Sequence, residues 1–333
     1  MRLFKRLTWV PSLVAYLLTV LALVYASFAL PRLLPGDAFI AMYGSGHVAI
    51  EAQDEASIRE SEIFKTSSES FAQYLGRLGR LDWGTSTAYE TPVFGLIMEA
   101  LPWTLLLMGT AQLLSMGIGF ILGVEAAWRH DSVSDRLLTG VMTFLEGIPE
   151  LSSGVLLLLV FALWLGWFPA AGGETVYSGL PFWERTLDIL HHLALPLATL
   201  VLAYLPGSAL LSRAAMLMTL RQPFMLTAAA KGLPPWRRRY AHAARCALLP
   251  VVTRLGLRLA SMLTGVLVVE SIHSYPGLGT LLFQAVSMRD LPLISGIVLF
   301  SSLGILTVAL ALEKTYQCLD PRLRQQRVTT HAR

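Results

Sequence analysis

Residues 101–124 read LPWTLLLMGTAQLLSMGIGFILGV and contain no acidic or basic side chain. A helix needs roughly 20 consecutive apolar residues to cross the hydrocarbon core of a bilayer, so this stretch predicts a membrane-spanning helix. The equally uncharged stretches 9–30 and 293–312 make the same prediction. Less uniform apolar runs at 137–168, 191–212 and 247–269 raise the expected number of spans to six. We therefore expect an all-α integral membrane protein with six transmembrane helices.

The composition supports a membrane protein. Of the 333 residues, 54% are hydrophobic and only 14% are charged, whereas a soluble domain carries about 25% charged residues. A cleaved signal peptide is an alternative interpretation of the first span, but its apolar stretch is longer than the 7 to 15 residues typical of a signal core. Cys246 and Cys318 are the two cysteines, and they suggest neither a disulfide framework nor a metal site.

The distribution of charge predicts the orientation. Lys and Arg accumulate in the cytoplasmic segments of membrane proteins. Here they cluster at 2–6, 129–136, 213–245 and 314–333, and six spans with both termini cytoplasmic place all four clusters on that side. Nucleic-acid binding is the weaker interpretation, because these basic groups flank spans.

The segment between the first two spans has the opposite charge. Residues 31–100 contain ten Asp or Glu against five Lys or Arg, so we expect a small extracytoplasmic subdomain with a short helix around 67–80. The predicted organisation is an N-terminal segment with the first span (1–30), this subdomain (31–100), a core with five spans (101–320) and a cytoplasmic tail (321–333).

The longest predicted cytoplasmic connection is residues 213–250, RAAMLMTLRQPFMLTAAAKGLPPWRRRYAHAARCALLP. Strong helix formers occupy 225–231, Gly232 can end that helix because it tolerates positive φ, and the following Pro-Pro pair prevents continuation. A second helix is expected from about Trp236. A chain that only had to span the membrane would use a shorter connection, so this segment predicts a binding partner outside the bilayer.

Several short strings follow one another along the chain in a recognisable order. They are TAAAKGL at 227–233, HAAR at 242–245, ALLP at 247–250, LPGD at 34–37, LDWG at 81–84, VE at 269–270, YPGLG at 275–279, RD at 289–290 and LDPR at 319–322. On these strings and the six-span pattern, the chain resembles the permeases of binding-protein-dependent ATP-binding-cassette (ABC) importers, within the dipeptide, oligopeptide and nickel branch. Leu226, Thr227 and Cys246 depart from the general importer motif, and the first two departures are common in the peptide branch.

The resemblance implies a type I ABC importer permease fold, a location in the bacterial inner membrane and a pathway for peptides, with nickel or a metal chelate as the alternative cargo. It implies as partners a second homologous permease, one or two ATPase subunits and an extracytoplasmic substrate-binding protein. It also implies that the cytoplasmic segment contains a coupling helix that docks on the ATPase. The residues assigned to this coupling are Thr227, Ala228, Ala230, Lys231, Gly232, Arg239 and His242.

Polar groups inside or beside the spans are candidates for the gate or the pathway, because ionisable groups in a bilayer usually face a pathway or a partner. Glu146 and Glu150 lie four residues apart, as one pair on one predicted helix, and flank Pro149. They belong either to a kink in an over-long span or to the translocation path. The match of Glu270, at the outer end of the fifth span, to the family string suggests a structural or gating contact, and the alternative is a plain helix-end carboxylate. The turn after it contributes Tyr275, Pro276, Gly277 and Gly279.

Sequence motifs for catalysis are absent. No GxxxxGK[ST], HExxH or GxSxG string occurs. We therefore expect no enzyme activity, no metal site and no cofactor on this chain, with ATP and Mg²⁺ bound by partner subunits. A secondary transporter is the main alternative, although we find no internal repeat of the kind such transporters contain.

Overall fold

The computed structural model describes residues 10–33, 70–80, 82–176, 179–254 and 266–319. All of the named elements in these ranges are helical. They are α1 (Val10–Leu33), α2 (Phe71–Gly79), α3 (Val93–Trp128), α4 (Val133–Glu146), α5 (Glu150–Leu157), α6 (Phe182–Leu220), α7 (Pro223–Ala230), α8 (Leu267–Ile272), α9 (Leu278–Ser287) and α10 (Leu291–Leu319). Two segments have π-helical geometry: Leu158–Trp164 after α5, and Arg237–Ala244, which continues as an α-helix over 245–254.

Two of the predicted spans are longer than the apolar pattern indicated. The second span, expected at 101–124, is the 36-residue helix α3, and the fourth, expected at 191–212, is the 39-residue helix α6. At 1.5 Å per residue α6 is about 58 Å long, well beyond a hydrocarbon core of about 30 Å. The first eight residues of the predicted cytoplasmic connection therefore belong to α6.

The third predicted span is broken, as the over-long apolar run and Pro149 indicated. α4 ends at Glu146 and α5 begins at Glu150, and the two arms are bent by 95°. Pro149 occupies the N-cap of α5 in an extended conformation, so its ring does not interrupt an established helix. The prediction of a kink near residues 147–149 is confirmed.

By length and composition, three helices among the described residues can cross a membrane: α3, α6 and Leu291–Ala311 of α10. The bent pair of α4 and α5 would add a fourth. The predicted first span is helical as α1. Part of the predicted fifth span, 255–265, lies outside the described residues, as do most of the subdomain 31–100 and the tail 321–333.

The described residues form two compact units, one with residues up to Ala100 and from Leu281 onward, the other with Leu101–Thr280. In the first unit α1 packs along α10, and α2 lies against α1. The predicted helix around 67–80 is α2, and it begins with a capping box in which Ser70 and Gln73 satisfy each other's backbone N–H groups.

Asp290 makes several hydrogen bonds within the first unit. Its buried carboxylate accepts a hydrogen bond from the N–H of Leu293, which caps α10. It also accepts hydrogen bonds from the Ser86 hydroxyl, at 2.5 Å, and from the Ala88 N–H, at 3.1 Å. One acid thus joins the start of α10 to a turn about 200 residues earlier in the chain.

The second unit contains two apolar clusters. One joins the middle of α3 and α6 to α8 through residues that include Leu107, Leu200 and Val269. The other joins the ends of α3 and α6 to α7 and the second π-helical segment through residues that include Val124, Met216 and Ala243. Because lipid is as apolar as these side chains, close packing stabilises such clusters in a membrane more than exclusion of water does.

Candidate functional site

The short helix α7 has well-defined ends. Pro223 lies in its first turn. A backbone N–H at this position has no acceptor within the helix, so the N–H that proline lacks costs no hydrogen bond. At the other end the N–H of Gly232 donates to Ala229 O at 2.9 Å and the N–H of Leu233 donates to Ala228 O at 3.4 Å, which is the Schellman pattern. Gly232 has φ +69°, a conformation that favours glycine. The prediction that Gly232 ends this helix is confirmed.

Several large side chains on and after α7 are both exposed and apolar. Leu226 is 76% exposed, and Phe224 and Trp236 are also exposed. Ala228 is buried. Four other residues assigned to coupling are exposed: Thr227, Ala230, Lys231 and Gly232.

The segment after α7 is attached to the end of α3. The guanidinium of Arg239 and the hydroxyl of Tyr240 both bind the carboxylate of Glu125 through very short contacts. The same guanidinium lies over the ring of Trp128, 4.9 Å from its centroid. The hydrogen bond to Glu125, followed by burial, raises the pKa of Tyr240, so the phenol keeps the proton it donates. Arg239 therefore contacts the protein's own α3, and His242 contacts the carbonyl of Arg237 at 3.2 Å.

A second ion pair joins α4 to α6. Asp135 is almost fully buried and receives two hydrogen bonds from the guanidinium of Arg213, at 2.6 and 2.7 Å. Ser132 caps α4 by accepting the N–H of Asp135. The backbone N–H of Asp131 also donates to this carboxylate. The pair is thus a geometrically well-formed, bidentate link.

At the other group of candidate residues, Glu270 is fully buried. Its carboxylate accepts hydrogen bonds from the hydroxyl of Thr104 and from the N–H of Gly279, both at 2.7 Å. The Thr104 hydroxyl in turn accepts the N–H of Leu278 at 2.8 Å. Glu270 is therefore the centre of a hydrogen-bond network, and the alternative of a plain helix-end carboxylate is wrong.

The loop after α8 is folded closely around this carboxylate. A Cβ atom on Gly277 would overlap the Glu270 carboxylate, and one on Gly279 would lie 2.5 Å from the Cα of Leu267. Tyr275 is fully buried and packs edge-to-face on Trp103, with ring centroids 5.7 Å apart.

Pro276 extends the same packing. Its ring occupies the space next to Gly173, where an added Cβ would meet it at 2.8 Å. The N–H of the adjacent Gly172 donates to His273 O at 3.0 Å. The connection between α5 and α6 is therefore held against the loop after α8.

Glu146 and Glu150 do not lie on one helix, so that prediction is wrong. The break places Glu146 at the end of α4 and Glu150 in the first turn of α5, where a carboxylate is favourable next to the helix dipole. A Cβ on Gly207 would lie 3.0 Å from a Glu146 oxygen and 2.8 Å from Nη2 of Arg254, whose Nη1 donates to Gly207 O at 2.8 Å. Glu146 and Arg254 thus both lie close to the backbone of α6 at Gly207.

Sequence reasoning missed the acidic members of both ion pairs, Glu125 and Asp135. The spacing Ser132-x-x-Asp135 is a recognisable helix-start signal and could have identified one of them. Glu125 and Arg239 are separated by 114 residues, and no local pattern connects them.

Long apolar helices, a broken span and a short capped helix on a basic connection define a multi-pass helical membrane protein. Residues 115–325 match the family described as binding-protein-dependent transport system inner membrane component, and the chain belongs to this family. The resemblance to the ABC importer permeases of the peptide branch is confirmed.

Characterised relatives align over most of the chain. It is 34% identical to the oligopeptide transport system permease protein AppB of Bacillus subtilis, with 91% of this chain and 94% of the relative aligned. It is 35% identical to the di/tripeptide transport system permease protein DppB of Pseudomonas aeruginosa, over 90% and 94%. It is 33% identical to the glutathione transport system permease protein GsiC of Pectobacterium atrosepticum, over 94% and 96%.

Proposed function

We propose that this chain is the permease subunit of a peptide ABC importer in a bacterial inner membrane, and that it forms half of the translocation pathway. The single observation that carries this proposal is the near full-length similarity to permeases named for oligopeptide and di/tripeptide transport. The cargoes for which AppB, DppB and GsiC are named are all peptides, since glutathione is a tripeptide.

The proposed topology has six spans with both termini in the cytoplasm. The four basic clusters support it, because this orientation places all four in the cytoplasm and the opposite orientation places all four outside. The partners are a second homologous permease, one or two ATPase subunits, an extracytoplasmic binding protein and the surrounding lipid. ATP and Mg²⁺ are bound by the ATPase subunits.

The proposed mechanism is alternating access. A binding protein delivers the peptide to the extracytoplasmic side, and the ATPase subunits close on ATP. Because Phe224, Leu226 and Trp236 are apolar and exposed, they are suited to contact a cleft on such a subunit. Closure then displaces α7, and the displacement reorients the spans around the pathway.

The loop of Tyr275, Pro276, Gly277 and Gly279 is proposed as part of the gate. Its support is the network around Glu270, which holds the loop in one conformation and joins it to α3 through Thr104. Because hydrogen bonds fix this loop to α3, we expect the loop to move when α3 moves. Glu146 and Glu150 stay candidates for the pathway.

Purification of the tagged chain from its native membrane tests this function. We expect an ABC ATPase and a second permease to copurify, and peptide uptake by the reconstituted assembly to require ATP and the binding protein. Proton-driven uptake by this chain alone would instead identify a secondary transporter. Retention of nickel rather than peptide by the copurified binding protein would assign the metal branch.

A further inference from the structure

The coupling helix α7 is held to the rest of the unit by packing as well as by the chain segments on either side of it. Met225 and Ala228 on its inner side are buried, and Met225 belongs to the apolar cluster that includes Val124 of α3 and Ala243 of the π-helical segment. α7 therefore packs into a common core with the ends of two long helices.

That core combines small and large side chains. Five of its eight buried members are alanine: Ala127, Ala215, Ala243, Ala244 and Ala247. Small side chains let helices approach closely, and the partly buried Phe120, Trp128, Leu217 and Leu220 pack around them. Apolar packing is non-directional, so a directional contact adds resistance to slippage between these helices.

The contact that can prevent slippage is at Glu125. Its carboxylate receives the Arg239 guanidinium and the Tyr240 hydroxyl, which are consecutive residues on the π-helical segment. The guanidinium also stacks on Trp128, almost one turn further along α3. Hydrogen bonds to an ionised group are directional and about twice as strong as neutral ones, so this arrangement specifies one relative position of the two helices.

We propose that Glu125 is a positioning residue for energy coupling, which holds α7, the Arg237–Ala244 segment and the end of α3 together as one body during transport. This inference rests on the proposed importer function. When α7 moves, the end of α3 then moves with it. Thr104, which binds Glu270, lies on the same helix α3.

The test uses the complete importer reconstituted in proteoliposomes with its binding protein. Glu125→Gln keeps the side-chain size and removes the charge. We expect the number of peptides imported per ATP hydrolysed to fall roughly two- to thirtyfold, the range of mutations that weaken coupling between sites, while binding-protein-stimulated ATPase activity persists. Tyr240→Phe, which removes one hydroxyl, should give a smaller loss in the same direction.

Arg129→Gln is the matched control. Arg129 lies 3.8 Å from the same carboxylate but is 61% exposed, so its loss should leave the coupling ratio unchanged. Equal coupling ratios in wild type and Glu125→Gln would overturn the inference. A parallel fall of assembly, ATPase activity and uptake would also overturn it, because it would indicate a purely structural role. A wild-type assembly without ATP-dependent uptake would instead refute the importer function itself.

A distance measurement tests the rigid body directly. With Cys246 and Cys318 replaced by Ser, spin labels are placed at the exposed positions Arg129 and Ala229 of the assembled importer. We expect one narrow distance distribution that is the same in the nucleotide-free and ATP-bound states, and a broader one in Glu125→Gln. A wild-type distance that changes with nucleotide would contradict motion as one body.

Discussion

The carboxylate of Glu270 accepts the backbone N–H of Gly279 at 2.7 Å, although the two residues belong to different helices. Gly277, between them in the loop, is so close to the same carboxylate that it has no room for a side chain. The proposed gate loop is thus shaped around a buried acid, and glycine is required where the backbone passes it.

Gly277→Ala tests this close approach. Because the added methyl group overlaps the Glu270 carboxylate, we expect a loss of about 1–3 kcal/mol in stability, which thermal melting of the purified importer would detect. Gly109→Ala is the control, since a Cβ at Gly109 meets no atom within 4 Å. Equal melting temperatures for the two variants would contradict the observed geometry.

Gly232→Val tests the end of α7. Valine at φ +69° costs about 1–2 kcal/mol or more, so we expect the Schellman end to open and α7 to lose its fixed direction. ATP hydrolysis should continue while uptake falls, with normal amounts of protein in the membrane. Gly179→Val is the control. It introduces the same backbone strain, at φ +57° and with no atom within 4 Å of the added Cβ, but it lies outside α7, so coupling should stay normal. Normal uptake by Gly232→Val would count against the coupling role of α7.

Asp135→Asn tests the link between α4 and α6. Removal of one charge leaves the partly buried Arg213 without its bidentate partner, and we expect a loss of about 3 kcal/mol. Asp131→Asn is a close control, because Asp131 is exposed and Asn tolerates its positive φ of 62°. Melting curves of the two variants should separate clearly, and coincident curves would show that the pair contributes little.

The pair of Glu174 and Arg185 predicts a dependence on pH. Hydrogen bonds from Arg185 hold the pKa of Glu174 below its usual 4.5, so the unfolded chain binds a proton more readily than the folded one. The stabilisation is therefore present above pH 4.5 and is lost as the pH falls through the folded pKa.

The difference in melting temperature between wild type and Glu174→Gln should accordingly shrink on acidification. Arg185→Gln should reproduce the effect, and the double variant should add nothing further, since both changes remove one interaction. A difference that is independent of pH would refute the pair as its cause.

Local chemistry was sufficient to predict several elements from the sequence. The Pro149 break and the end of α7 at Gly232 follow from backbone restrictions on single residues. The apolar runs located α3 and α6 but not their ends, because polar residues such as Arg185 and Arg213 continue a helix once it has left the bilayer.

Contacts over long sequence distances could not be predicted. Asp290 meets Ser86, and Glu125 meets Arg239, only after the helices have packed, and neither pair leaves a periodic signal. Arg239 is one of the residues assigned to coupling, and the structure adds the partner on α3 to which it is bound.

The corner between α4 and α5 constrains what can surround it. The first backbone N–H groups of α5 have no carbonyl partner within their own helix, and each such group costs several kcal/mol in contact with hydrocarbon. Neither arm alone, at 14 residues and 15 residues, is long enough to cross about 30 Å of lipid. At hydrocarbon depth this corner therefore requires polar partners from outside α5 for those N–H groups.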